Sequence, residues 1–446
     1  MKKRVLSVIA LLLSLAMFVV GCSSGSKSEE SAEKAESAGD KSGAITVAYK
    51  AAPPNLDSDQ STDWTVTAVM NHVYEGLYEF NASSEAVPHL AKSCDIENDG
   101  KTYVFHLREG VLFHDGSEMK AEDVKASFDR WFAVNEMGIS VSEYVDSVDV
   151  VDDYTVSVKL NSVYAPFLNV IASPTSNQKM VVRPASLIEK YGNDVLEEHI
   201  GTGPYKFDSW VPDASVKLVK FDDYVPVEGE ASGFAGKRVA YANEINIQFV
   251  TDESVRISGL ETGEFMFAEE ISQDKYSQVE SSENTVPQIM DSDVEGMLTF
   301  NCGAAPFDDL NARKAVAIGL DLEELATAQI GDENFWSLDG CLFDKSTVWY
   351  DEKAGEGVYA KNDLELAKEY LAKSDYNGEP VVIVQGKDDN VESQGAEDLR
   401  SQLEKIGFNC MTVQQLWRNV LRKKDGQFIW LTLVYGMLIH RFGVHG

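Results

Sequence analysis

The sequence predicts an α/β fold from three observations: a strand–helix–strand unit at 381–413, short stretches alternating apolar with polar residues, and apolar stripes at helical spacing between them. In the first, 381–385 is a short apolar run rich in Val and Ile. Ala396, Leu399, Leu403 and Ile406 then share one helix face, Gly407 takes the C′ position that favours a left-handed residue, and 408–413 returns as a strand. Two strands joined by one helix at this spacing are parallel, with a right-handed crossover.

The other elements follow in order. Residues 64–78 read as a helix with Val66, Val69, Met70, Val73 and Leu77 on one face. Residues 102–107 alternate, placing Tyr103, Phe105 and Leu107 on the buried side of a strand. His114-Asp115-Gly116 is a turn, and the helix after it carries Val124, Phe128, Trp131 and Phe132 as its stripe. A hairpin spans 148–160 and bends at Asp152-Asp153, with Tyr154, Val156, Val158 and Leu160 facing one way. Residues 244–250 form another strand and 311–326 a helix, and Asn362-Asp363-Leu364-Glu365 reads as a capping box with Asn362 at the cap.

Composition narrows compartment and partners. A formal charge of −34 argues against nucleic acid and against adhesion to anionic lipid. Lys2, Lys3 and Arg4 precede an apolar run at 5–20, shorter than the roughly 20 residues of a membrane-spanning helix, so it reads as a signal peptide. The run ends in Val19-Val20-Gly21-Cys22, which resembles a bacterial lipobox and makes Cys22 the expected lipidation site. Residues 23–42 hold no aromatic or branched aliphatic side chain and read as a flexible tether. Cys94, Cys302, Cys341 and Cys410 form no C-x-x-C or zinc spacing and read as buried thiols. The histidines show no i,i+4 pairing, and no G-x-S-x-G or H-E-x-x-H motif occurs. No catalysis, metal or cofactor is therefore expected.

Three longer stretches act together. Residues 90–131 supply Phe105, Leu107, Arg108, Gly110, Val111, Phe113, Asp115, Gly116, Ala121, Asp123 and Val124 of a pattern F-x-L-R-x-G-V-x-F-x-D-G-x-x-x-x-A-x-D-V. GTGPYKFDSW follows at 201–210 and FNCGAAPFDDLNARKAVAIGLDLEELA at 300–326. In order and spacing they resemble the family 5 extracellular solute-binding proteins, which include oligopeptide, dipeptide and nickel receptors, and the likeness runs from about 45 to 413. Lys120 departs from the pattern, since the family usually has a Thr there that caps the helix.

The resemblance implies a two-lobed periplasmic-binding-protein-like fold of the large peptide-binding class II type. Its expected parts are a lipoprotein signal peptide (1–22), a tether (23–43), a first domain in two segments (44–80 and 199–292), a small inserted α/β domain (81–198), a third domain (293–415) and a tail (416–446). It implies a monomeric receptor, lipid-anchored to the outer face of the cytoplasmic membrane, that closes on a peptide or similar small solute and passes it to ABC permease subunits. A peptide-presenting chaperone or signalling lipoprotein and a receptor for a nickel complex are the alternatives.

Ligand contacts are expected where the lobes face each other. The polar loop 57–64 follows the first strand, a usual cleft position in an α/β lobe, and offers Asp57, Thr62 and Trp64. An ordinary solvated loop with Trp64 packed beneath it is the competing reading. Thr202, Gly203 and Tyr205 of the glycine motif have the same standing. Trp336, in Asn334-Phe335-Trp336, is the candidate of the second lobe, with a place in the core as its alternative.

Beyond Gln415 the pattern changes. Residues 411–446 hold five Lys or Arg against Asp425 alone, and 428–439 is almost continuously apolar without the alternation of a strand. The expectation is a frameshift near Gln415 and an incomplete third domain. By the resemblance, the missing part would include an acidic residue that holds a peptide's α-amino group.

Overall fold

The computed structural model describes residues 43–174, 179–289, 296–386, 390–415 and 428–433. Cys22, the tether at 23–42, and 416–427 and 434–446 of the tail lie outside the described residues.

The chain enters through β1 (Ala44–Tyr49), a loop, and α1 (Trp64–Met70). A small hairpin, β2 (Tyr78–Phe80) and β3 (Ala86–Pro88), leads to β4 (Ala91–Glu97), β5 (Thr102–Leu107), α2 (Ala121–Val134), α3 (Glu136–Ser142), β6 (Val145–Asp152) and β7 (Thr155–Leu160). Strands β4 to β7 make a four-stranded antiparallel sheet in the order β4-β5-β7-β6. Tyr103, Phe105, Val156 and Val158 share one buried cluster with Val124, Phe128 and Trp131 of α2.

After α4 (Phe167–Ala172) and α5 (Ala185–Tyr191) come β8 (Tyr205–Val211), β9 (Ser215–Lys220), β10 (Glu244–Phe249), α6 (Glu253–Thr262), β11 (Phe267–Ala268) and α7 (Tyr276–Ser281). These strands join β1 in a five-stranded sheet, β11-β1-β10-β9-β8, in which β1 runs parallel to both β10 and β11. The first lobe's sheet thus takes strands from either side of the inserted four-stranded sheet.

The second lobe contains β12 (Gly296–Phe300), α8 (Leu310–Gly319), α9 (Leu322–Ile330), α10 (Leu364–Lys373), β13 (Pro380–Gly386), α11 (Asn390–Ile406), β14 (Asn409–Gln415) and β15 (Phe428–Leu433). The strand–helix–strand unit read from the sequence is β13-α11-β14. Its strands are parallel, and Ala396, Leu399, Leu403 and Ile406 are buried with Val381, Ile383 and Phe408.

Several elements differ from their sequence reading. The helix expected at 64–78 stops at Met70, although all five stripe residues are buried. Beyond Asn71 the carbonyls serve other segments: those of His72 and Val73 accept the N–H groups of Tyr205 and Gly203 at 3.1 and 2.9 Å. The helix at 311–326 is two helices, because the Asp321 carboxylate accepts the Glu324 N–H at 2.9 Å and starts α9 afresh. The cap of α10 is Asp363, which accepts from Leu366 N–H at 3.0 Å. Asn362, one residue earlier, sits at φ 48° and donates to Asp321 at 2.6 Å. At α2 the absent Thr is partly offset by Asp123, which accepts the Lys120 N–H at 2.8 Å. Of the four thiols only Cys341 is buried, and none is in a disulfide.

The largest difference lies in the tail. β15 enters the middle of the second lobe's sheet, antiparallel to β12 and parallel to β13, in the order β12-β15-β13-β14. An inner strand can carry a continuous apolar run, so 428–433 lacks the alternation by which a sequence marks a half-buried strand. Among the described residues, no helix is long and apolar enough to cross a membrane.

Candidate functional site

The loop after β1 is held from below by a buried ion network. Arg130 of α2 donates to Asp57 at 2.6 Å and to Asp59 at 3.2 Å, and Arg183 donates to Asp59 at 2.8 Å and to Ser58 at 2.7 Å. The Asp57 carboxylate also accepts the N–H groups of Leu196 and Asp59, each at 3.0 Å. All four charged side chains are buried, and the Arg183 guanidinium lies 4.5 Å over the Tyr74 ring. Asp57 was expected at the cleft; the structure gives its carboxylate these internal partners, which tie the loop to the inserted domain. Thr62 and Trp64 stand apart from this network and are exposed, Trp64 at 46%.

The glycine motif sits on a second buried network. Glu75 accepts from His89 at 2.8 Å, from the Tyr224 hydroxyl at 2.8 Å and from the Thr202 hydroxyl at 2.8 Å, with Arg238 at 3.9 Å. Glu79 pairs with Lys179 at 2.9 Å and accepts the Gly76 N–H at 2.9 Å. Burial works against the charged form of Glu75, but the His89 bond and charge, Arg238 and the Tyr224 hydroxyl hold its carboxyl down to about 2. Gly203 lets two chain segments touch, since a Cβ there would stand 2.5 Å from the His72 carbonyl oxygen. Tyr205 donates to the Ala242 carbonyl at 3.2 Å. Thr202, Gly203 and Tyr205 are therefore brought together, as parts of a buried frame.

The carboxyl ends of β1, β10 and β11 lie side by side because the three strands are parallel. Arg256 of α6 stitches this edge by donating to the carbonyls of Val250, Thr251 and Glu270 at 2.7, 3.0 and 2.9 Å. Glu269, directly after β11, is 97% buried, and its Oε1 accepts the Lys50 N–H at 3.2 Å. Lys50 pairs instead with Glu270, at 2.7 Å. Burial first, then the Glu270 charge, push the Glu269 carboxyl up to about 7, against the Lys50 bond and Arg256.

This edge also meets the second lobe. Tyr276 of α7 makes an edge-to-face contact with Phe335 at 5.2 Å between ring centroids. Phe335 belongs to a single turn after α9, capped by Asp332, which accepts the Asn334 N–H at 2.9 Å. Trp336 follows it, half-buried, with its indole N–H enclosed and unpartnered. Of the residues expected from sequence, Trp336 is thus the one that follows the turn touching α7 of the first lobe. Glu269 was missed. Its signal was available: a polar residue directly after a short apolar stretch, FMFA, that itself follows a Gly-terminated helix. Among the described residues no cluster of His, Cys, Asp and Glu is arranged to hold a metal.

A sequence model of bacterial extracellular solute-binding proteins, family 5 middle, matches residues 85–437, across Gln415 and through β15. A probable peptide ABC transporter periplasmic-binding protein of Sinorhizobium fredii is 26% identical over 363 residues, 79% of this chain and 67% of that protein. The glutathione-binding protein of Pectobacterium atrosepticum is 30% identical over 275 residues, 61% of this chain, and the match spans half of its length, 50%. Among solved structures, a periplasmic binding protein of Helicobacter pylori in complex with the peptide STSA superposes with a TM-score of 0.66 at 25% identity, covering 85% of this chain and 75% of that one.

Proposed function

The chain belongs to the bacterial extracellular solute-binding proteins of family 5, and we propose that it captures a peptide or similar small solute outside the cytoplasm and delivers it to the permease of an ABC importer. The observation that carries this reading is that the carboxyl ends of β1, β10 and β11 lie side by side in the first lobe while α7, just beyond β11, contacts the 333–336 turn of the second lobe. Two mixed α/β units contacting across such an edge can close on a solute. Closure follows only when the ligand binds the closed form better, and moving the balance from 1:99 to 99:1 takes about 5.5 kcal/mol of differential binding.

The test is small-angle scattering on the protein with and without a tripeptide library, with the peptides assayed afterwards. Compaction with every peptide recovered intact is the expected result. Unchanged scattering together with no retained peptide would remove the peptide reading.

The Gly21-Cys22 sequence after the apolar run supports a lipid anchor, placing a monomeric receptor on the outer face of the cytoplasmic membrane. Cys22→Ala should abolish incorporation of a radioactive fatty acid and release the protein or leave its leader attached. Equal label in both forms would rule Cys22 out as the lipidated residue.

A further inference from the structure

Glu269 is a buried carboxylate with half its bonding capacity unused. Its Oε1 accepts one backbone N–H at 3.2 Å, and Oε2 has no partner among the described residues. The nearby cations are committed elsewhere. The Lys50 ammonium is on Glu270 at 2.7 Å, and the Arg256 guanidinium is on three backbone carbonyls. Other charged or titratable groups at this edge include Tyr49 from β1, Asp252 at the cap of α6, and Glu253 from α6, whose carboxylate accepts the Ser272 N–H. Ala48, Phe265, Ala268 and Ile271 form the apolar cluster behind it.

A carboxylate withdrawn from water without a bonded cation is costly, and Lys50 and Arg256 act on this one without bonding it through their charged groups. The position is not an ordinary core site, because it lies at the carboxyl end of a parallel strand, the usual ligand side of an α/β sheet. Resting on the receptor reading above, we propose that Glu269 is a specificity residue of the first lobe, whose Oε2 accepts a hydrogen bond from a positively charged nitrogen of the bound solute. Ligands presenting an ammonium to this edge would then be preferred over neutral isosteres. The bound cation also draws the carboxyl, raised to about 7 in the free protein, back toward its ionised form, so binding near neutrality expels a proton.

The experiment compares the full chain with Glu269→Gln, which keeps shape and removes charge. Two tripeptide libraries serve as probes, one with free amino groups and one with every amine acetylated, read by native mass spectrometry. Hits are then titrated by calorimetry at pH 7 in two buffers of different ionisation enthalpy. Wild type should retain free-amine peptides roughly thirty-fold or more better than their acetylated forms, and Glu269→Gln should lose that preference. Wild type should also release about half a proton more per peptide than the variant, as a carboxyl titrating near pH 7 requires. Wild-type retention of amines with an undiminished preference in Glu269→Gln, or equal proton release, overturns the role of Glu269 and leaves the receptor reading intact. Retention of neither library by wild type overturns the peptide reading, and this proposal with it.

Discussion

Glu75 and Glu269 are both buried carboxylates of the first lobe, within sequences that look equally unremarkable. Glu75 has partners on both oxygens, from His89, Tyr224 and Thr202, and its carboxyl is held down to about 2. Glu269 has one backbone N–H, and its carboxyl stands near 7. Burial is common to both, so the number and charge of the partners sets the sign of the shift. Where the fold supplies every partner, the carboxylate is a structural keystone. Where it supplies one, a place is left for something else.

The contrast between the two carboxylates is largest in what Glu75 holds together. Glu75→Leu leaves His89, Thr202, Tyr224 and Arg238 without their shared acceptor and should cost about 3–5 kcal/mol in urea unfolding. Glu269→Gln at pH 7 should cost almost nothing or stabilise. Similar losses in the two variants would mean that Glu269 has structural partners after all.

The two carboxylates also impose opposite pH dependences on stability. Relative to an ordinary value of 4.5, the lowered carboxyl of Glu75 adds stability that is present above pH 4.5 and lost as pH falls through about 2. The raised carboxyl of Glu269 works the other way, so its contribution is most favourable below pH 4.5 and lost as pH rises through about 7. Each effect is worth roughly 3 kcal/mol at most. Unfolding of wild type and Glu269→Gln at pH 5 and pH 8 should show the variant gaining on wild type by up to about that amount at the higher pH. A constant difference between them contradicts the assignment.

The smallest expected effect lies at Gly203. A Cβ would press on the His72 carbonyl oxygen at 2.5 Å, so Gly203→Ala should destabilise by about 1–3 kcal/mol. Ligand affinity per folded molecule should stay unchanged, as measured by calorimetry below the transition. A selective loss of affinity would move the glycine motif from frame to ligand contact.

Much of the fold was legible because its elements are locally consistent. The stripe of Ala396, Leu399, Leu403 and Ile406, the Gly407 stop and the flanking β-branched runs all pointed to one unit, β13-α11-β14. The readings that failed did so where distant segments decide the outcome. The 64–78 stripe is real, yet the carbonyls of His72 and Val73 bond to the glycine motif more than 100 residues later, and no local pattern announces that. Arg130 and Arg183 look like surface residues in sequence, and only the fold shows that they neutralise Asp57 and Asp59 in the interior. The site was less legible than the fold. Thr202, Gly203 and Tyr205 stand out by their motif and pack into a buried frame, whereas Glu269 lies in a stretch without a motif and is marked only by the partners it lacks.

The position of β15 has a consequence for the order in which the molecule can assemble. Of the second lobe's described strands, β15 comes last in the chain, yet in space it is an inner one, standing between β12 and β13. As the polypeptide emerges from N- to C-terminus, β12 and β13 must wait with open hydrogen-bonding edges until residues 428–433 appear and slip between them. Assembly of that sheet is therefore not a progressive zipping but a late insertion, with a long loop-closure step and a vulnerable interval before it. The first lobe carries a similar delay, since β1 pairs with β10 in a register that sets Ala44 against Glu244. Both lobes postpone their central pairings, and such a chain stays unfinished, and so threadable, for most of its synthesis.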